Sequence, residues 1–147
     1  MSTKDREELM HETIRVGEMT ITFLKTRQET HNTLEMYELT MPPTGRETVP
    51  HAHRDEDMVV LGMNGVATWT VDGEVRQLRP GERLVIPRGI THSMKNLHDG
   101  IARMICMHTP GAMGPEFFRE ITQYIYEGEL DMVAISEIMN RYGITPT

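Results

Sequence analysis

Three histidines have the residue type and spacing of a metal site. His51 and His53 are separated by one residue, and His92 follows the turn-forming segment 87–91. In a β-strand alternate side chains share a face, so His51 and His53 point the same way, about 7 Å apart at a rise of roughly 3.3 Å per residue. Two imidazoles at this spacing can bind one metal ion, and imidazole suits Fe, Ni, Cu and Zn. We therefore treat His51, His53 and His92 as candidate ligands.

Short strands have to position these histidines. Residues 19–23 alternate between apolar and polar, and residues 34–41 are rich in strand-compatible types. Further short segments follow at 58–63, 66–71, 74–78, 84–87, 92–96 and 101–108. Turn signals separate them, and Asn64-Gly65 and Asp72-Gly73 are typical of tight hairpins, because their central residues need a positive φ. This pattern predicts an all-β, antiparallel sandwich or barrel.

After Thr109 the pattern becomes helical. Pro115 can occupy the first turn of a helix, and the apolar residues that follow recur at helical spacing: Phe117, Phe118, Ile121, Tyr124 and Ile125. A second helix is predicted from Asp131, as N-cap, to Gly143, as the residue beyond the C-cap. We expect one domain over residues 1–147, with an N-terminal arm (1–11), a β-barrel (12–109) and a helical tail (114–143).

Composition excludes several classes of function. The 147 residues carry 15 Lys plus Arg and 22 Asp plus Glu, so the formal net charge is −7 with neutral His. A negative net charge does not favour general electrostatic binding of nucleic acid or anionic lipid. No apolar run is long enough to span a membrane, and residues 1–10 are too polar for a secretory signal. The single cysteine, Cys106, excludes an internal disulfide and a cysteine-based zinc site. We expect a cytoplasmic protein that binds a small molecule.

The chain resembles the cupin superfamily, in its small bacterial, dioxygenase-like form. Gly45, His51, His53 and Gly65 match the spacing of the first cupin motif. The second motif is matched by Gly81, Pro87, Gly89, His92 and Asn96. The resemblance implies a double-stranded β-helix, or jelly roll. It also implies one divalent transition metal (Fe, Ni, Mn, Cu or Zn) on His51, His53 and His92, and a homodimer.

One position departs from the motif. The glutamate that usually supplies the fourth ligand is replaced by Met58 when the spacing is counted from either end. Asp57 is the alternative ligand at the shorter spacing, but a shift of one residue turns a strand side chain to the opposite face, so Asp57 would need a bulge. We therefore expect Met58 at this position. In that case the acidic residues 55–57 form a solvated loop or lie behind the histidines.

A site of three neutral histidines resembles those of thiol dioxygenases and some diketone-cleaving cupins. The first hypothesis is therefore a metal-dependent dioxygenase acting on a small anionic organic substrate, with no catalytic residue assigned beyond the metal centre. The alternatives are a metal-dependent isomerase or lyase and a non-catalytic, ligand-binding or regulatory cupin. His108 and Arg103 stay open: each either faces the pocket or has a structural role. Cys106 is expected to be a buried, inert thiol.

Overall fold

A computed structural model describes residues 2, 11–43, 46–126 and 129–147. The strands are β1 (Thr13–Val16), β2 (Met19–Lys25), β3 (Glu35–Met41), β4 (His51–His53), β5 (Asp57–Asn64), β6 (Ala67–Val71), β7 (Glu74–Leu78), β8 (Arg83–Ile86), β9 (His92–Lys95), β10 (Ala102–Thr109), β11 (Ile125–Tyr126), β12 (Glu129–Leu130) and β13 (Ile144–Pro146). The helices are α1 (Gly114–Ile121) and α2 (Met132–Arg141), with a 3-10 helix at Thr122–Tyr124. Most of the expected N-terminal arm, and Gly45, lie outside the described residues.

The strands form two large antiparallel sheets. One has the order β1-β2-β3-β10-β5-β8 and the other the order β13-β4-β9-β6-β7, while β11 and β12 pair separately. Side chains from both large sheets, such as Val60 and Trp69, belong to one buried apolar core. The alternation of buried and partly exposed residues along β3, β5 and β10 gives each strand an inner and an outer face. This architecture confirms the predicted jelly roll.

The two Asx-Gly signals have different outcomes. Asp72 and Gly73 have φ values of 51° and 81° and join β6 to β7, which pair with each other, so this hairpin is confirmed. The hairpin predicted at Asn64-Gly65 is wrong, because β5 and β6 belong to different sheets. Gly65 nevertheless has a φ of 64°, and a Cβ there would lie 2.3 Å from the Ile101 carbonyl oxygen. The glycine is needed where the chain crosses between sheets.

The helical tail is confirmed in part. Pro115 lies in the first turn of α1, and the Asp131 side chain accepts a hydrogen bond of 3.2 Å from the Ala134 amide at the start of α2. Gly143 follows α2 with a φ of 79°. The first helix is shorter than predicted, since Tyr124 lies in the 3-10 helix and Ile125 begins β11.

The last strand, β13, was not predicted, and it supports the strand that carries two of the candidate ligands. Ile144 pairs with His53, and Pro146 pairs with His51. The Ile144 side chain is buried in the core. β4 therefore lies between β13 and β9 and is held on both sides.

None of the helices in the described ranges has the length and apolar character needed to cross a membrane.

Candidate metal centre

The two histidine-bearing strands bring the three predicted ligands together. β4 pairs with β9 so that His51 is the direct partner of His92. The ring centroids of His51 and His92 are 4.5 Å apart. The ring centroid of His53 lies 5.1 Å from that of His51 and 5.3 Å from that of His92. One ring nitrogen from each histidine lies within 4.8 Å of the other two. Residues separated by up to 41 positions in the chain thus converge because the sheet pairs their strands.

Backbone carbonyls fix the orientation of two of the rings. His51 Nδ1 lies 2.6 Å from the Val49 carbonyl oxygen, and His92 Nδ1 lies 3.0 Å from the Ile90 carbonyl oxygen. A carbonyl oxygen can only accept a hydrogen bond, so each Nδ1 carries the proton and donates it. The lone pair of each neutral ring therefore lies on Nε2, which is the nitrogen left for a metal.

Burial keeps these imidazoles neutral. Burial, reinforced by the neighbouring His92 and His53, lowers the pKa of His51 to about 3. Burial also lowers the pKa of His92 to about 4. A metal competes with protons for an imidazole nitrogen, and at neutral pH no proton has to be displaced from either ring. The donor set therefore fits a divalent transition metal.

A buried carboxylate lies behind His53. Glu56 Oε1 is 3.5 Å from His53 Nδ1 and 3.8 Å from His108 Nδ1, and its Oε2 accepts a 3.0 Å hydrogen bond from the Ala112 amide. Neither ring nitrogen forms a hydrogen bond within the described part of the chain, so Glu56 is their near neighbour and not a hydrogen-bond partner. Glu56 is only 2% exposed, so its charge acts at short range in a poorly solvated region. The acidic run thus contributes a residue behind the histidines, one of the two roles considered for it.

A second layer of buried polar groups extends from Glu56. His108 Nε2 and the Tyr37 hydroxyl are 2.8 Å apart, and Glu35 Oε2 accepts a 2.8 Å hydrogen bond from the Gly114 amide at the start of α1. Burial, together with the nearby Glu56 charge, raises the pKa of Glu35 to about 7. His108 is fully buried and absent from the cavity wall. With His53 and Glu56 it forms a second buried group of potential metal ligands, whose ligand atoms lie within 4.8 Å of one another.

Met58 and Asp57 point in opposite directions. Met58 is 4% exposed on the inner face, where its direct partners across the sheet are His108 and Ile86. Asp57 lies toward the outside, and its carboxylate accepts hydrogen bonds from the Arg88 amide at 3.0 Å and the Arg88 side chain at 3.2 Å. Those bonds lower the pKa of Asp57. No bulge turns Asp57 inward, because the pairing of β5 with β8 is regular from Met58 onward.

The three histidines line a cavity of about 940 Å³, together with Met58 and the only tryptophan, Trp69. The Trp69 ring centroid lies 6.2 Å from that of His92. Six of the 13 methionines line this cavity: Met19, Met41, Met58, Met94, Met113 and Met139. Five of the six also belong to the buried core, and Met19 packs against it, so flexible side chains form much of the cavity wall.

Other reactive residues of the sequence lie away from the cavity. Cys106 is fully buried, and burial raises the pKa of its thiol to about 12, which confirms an inert thiol. Arg103 points outward and contacts Glu38 and Asn64, so it is not a pocket residue. His31 and His98 are exposed outside the cavity wall.

A family model matches the central part of the chain. Residues 37–108, 72 of the 147 residues, match the model described as a cupin domain. This segment therefore carries a cupin domain, and the fold agrees with that match.

Individual relatives differ in described activity. Over 102 residues the chain is 30% identical to a mannose-1-phosphate guanylyltransferase of Salmonella montevideo. The matched region is 69% of this chain but only 18% of that enzyme. The structure of a predicted oxalate decarboxylase from Thermotoga maritima matches 71% of this chain and 95% of its own, with 19% identity and a TM-score of 0.62. The structure of KdgF from a Halomonas species matches 71% and 88%, with 19% identity and a TM-score of 0.58. At these identities the solved structures establish the fold alone.

Proposed function

We propose that this protein is a mononuclear metal-dependent dioxygenase that acts on a small anionic organic substrate. The observation that carries the proposal is a cluster of three imidazoles with Met58, instead of a glutamate, on the inner face at the position of the usual fourth ligand. Bound there, a redox-active divalent ion such as Fe²⁺ would supply Lewis acidity and electron transfer to dioxygen. His51, His53 and His92 would be its protein ligands.

The remaining residues prepare this site for an anion. Three neutral ligands bring no negative charge into direct contact with a divalent ion, so an anionic oxygen or sulfur gains more here than beside a ligand carboxylate. The carbonyls of Val49 and Ile90 hold two rings with Nε2 directed away from the backbone. Met58 and Trp69 are nearly fully buried and exclude water from the adjoining wall.

Oxygen uptake tests this function. Untagged protein loaded anaerobically with Fe²⁺ should consume oxygen in the presence of at least one member of a panel of β-diketones, thiols and 2-oxo acids. His51→Ala should lose most of the bound metal and the uptake, because two imidazoles remain. His98→Ala, which removes an exposed histidine outside the cavity, is the matched control and should keep both. Substrate conversion without oxygen would instead indicate an isomerase or lyase.

We also propose that two copies associate through the outer face of the six-stranded sheet. Strand pairing places Met36, Met107, Val59 and Val85 in one row across β3, β10, β5 and β8. On the same four strands the next row contains Glu38, Ile105, Leu61 and Arg83, and Glu38 also contacts Arg103 of its own chain. A two-fold axis lying in the interface along the strands would set Glu38 opposite the other copy's Arg83.

Light scattering after size-exclusion chromatography tests this interface. The protein should be dimeric at micromolar concentration, and Val85→Glu should raise the dimer dissociation constant by about tenfold or more, because it places a charge in the apolar row. Val75→Glu changes a residue of similar exposure, 69% against 52%, on the other sheet and should leave the dimer intact. A monomeric wild-type protein, or equal effects of the two variants, would contradict the proposal.

A further inference from the structure

The cavity beside the histidines is apolar through its interior. Its barrel wall contains Leu39, Met41 and Met94, and its wall on the side of the helical tail contains Phe117, Ile121 and Met139. These side chains are buried in the protein core. With a volume of about 940 Å³, the cavity lies near the upper end of the range of about 300–1,000 Å³ that is usual for drug-sized ligands.

Charged side chains meet the cavity only at its rim. Among the described residues of the wall, the charged groups are Arg15, Glu18, Arg46 and Glu47, and all four are exposed. Glu47 accepts a 2.6 Å hydrogen bond from the Ser93 hydroxyl. A ligand inside the cavity thus meets the polar histidine cluster at one place and apolar side chains along most of the remaining wall.

This distribution discriminates between substrate classes. A long dianion such as sebacate would place its second carboxylate, which cannot reach the same metal ion, among methionine and phenylalanine side chains, where its lost hydration is not replaced. An apolar chain or ring system would instead replace water along that wall with favourable contacts. The methionines adapt to ligands of different shape, since their side chains are unbranched and flexible.

We propose that the substrate is a predominantly apolar molecule of drug-like size with a single metal-binding oxyanion group, such as a carboxylate or the enolate of a β-diketone. This inference rests on the proposed function for the end of the substrate that meets the histidines. The apolar body lies between the barrel wall and the helical tail and extends toward Leu130, which lines the cavity and is 42% exposed. The binding energy of that body holds the oxyanion against the site.

Straight-chain carboxylates are suitable probes, because Trp69 is the only tryptophan and lies in the cavity wall. Its fluorescence is titrated with acetate, hexanoate, decanoate and sebacate, using both metal-free and zinc-loaded protein. Affinity should rise by about three- to fourfold per methylene group until the chain fills the cavity. Zinc should strengthen the binding of every carboxylate. Sebacate or acetate binding as tightly as decanoate would overturn the inference.

Two substitutions in the helical tail separate cavity binding from adsorption to the surface. Leu130→Gln should weaken decanoate binding by roughly three- to tenfold and leave acetate unchanged, because it makes the apolar path polar. Val133→Gln makes a similar change at a residue that is 82% exposed and outside the cavity wall, and it should alter neither. Equal responses of the two variants would assign decanoate to the surface and overturn the inference.

The same titrations distinguish this inference from the proposed metal chemistry. If affinity rises with chain length but zinc and His51→Ala have no effect, the apolar substrate class stands and the metal centre fails. If zinc strengthens binding but chain length does not, the metal centre stands and the substrate class fails.

Discussion

Replacing Met58 by glutamate is expected to raise the affinity for divalent metal by roughly a hundredfold or more and to lower oxygen uptake at the same time. Met58 lies on the inner face of β5 and lines the same cavity as the three imidazoles. A carboxylate there adds a hard oxygen ligand and a negative charge. A carboxylate that only contacts a ligand already changes metal affinity by about 10- to 100-fold, so a direct ligand should have at least as large an effect. The new carboxylate would also occupy a position beside the metal ion that an anionic substrate could use. It would offset part of the positive charge that attracts such a substrate.

Calorimetric metal titration and oxygen uptake check both halves of this prediction. In Met58→Gln the glutamine has nearly the size of glutamate but no charge, so this variant should change metal affinity much less. Asp57→Ala removes the outward carboxylate bonded to Arg88 and should leave metal affinity unchanged. Strong metal loss in Asp57→Ala, together with no gain in Met58→Glu, would show that Asp57 is the ligand.

Replacing Glu56 by glutamine is expected to weaken metal binding by about 10- to 100-fold without removing a metal ligand. The Glu56 carboxylate faces His53 Nδ1, and it also accepts a hydrogen bond from the Ala112 amide. Glutamine keeps the size and an oxygen that can accept from that amide. It loses the charge that favours a proton on His53 Nδ1 and a lone pair on Nε2.

Asp55→Asn is the matched control, since it neutralises an exposed carboxylate one residue away and should leave metal affinity unchanged. Nitrogen NMR of the labelled histidines gives a readout that a general loss of stability would not reproduce, because it reports which nitrogen of His53 carries the proton. Carbon NMR of Glu35 gives another: its pKa, which the Glu56 charge helps to raise to about 7, should fall in Glu56→Gln. Equal metal affinities of Glu56→Gln and Asp55→Asn would contradict the positioning role.

Local chemistry made much of this protein readable from its sequence. The shared face of His51 and His53 follows from the two-residue period of a strand, and the Asp72-Gly73 hairpin follows from the φ values its turn requires. The cap at Asp131 and the end of α2 at Gly143 depend on side-chain and backbone groups within a few residues. Spaced motifs added His92 and the jelly roll. These features depend on neighbours in the chain or on a recognisable pattern.

Features that depend on distant partners were decided by the tertiary structure. Asn64-Gly65 has the signature of a hairpin, yet the destination of the next strand makes it a crossing between sheets. Arg103 faces outward because the register of β10 against β3 sets it opposite Thr40 on the outer face. The contact of Glu56 with His108 joins residues 52 positions apart. The apolar cavity is likewise built from strands and helices distant in sequence, because burial depends on which surfaces pack together and not on the residues adjacent in the chain.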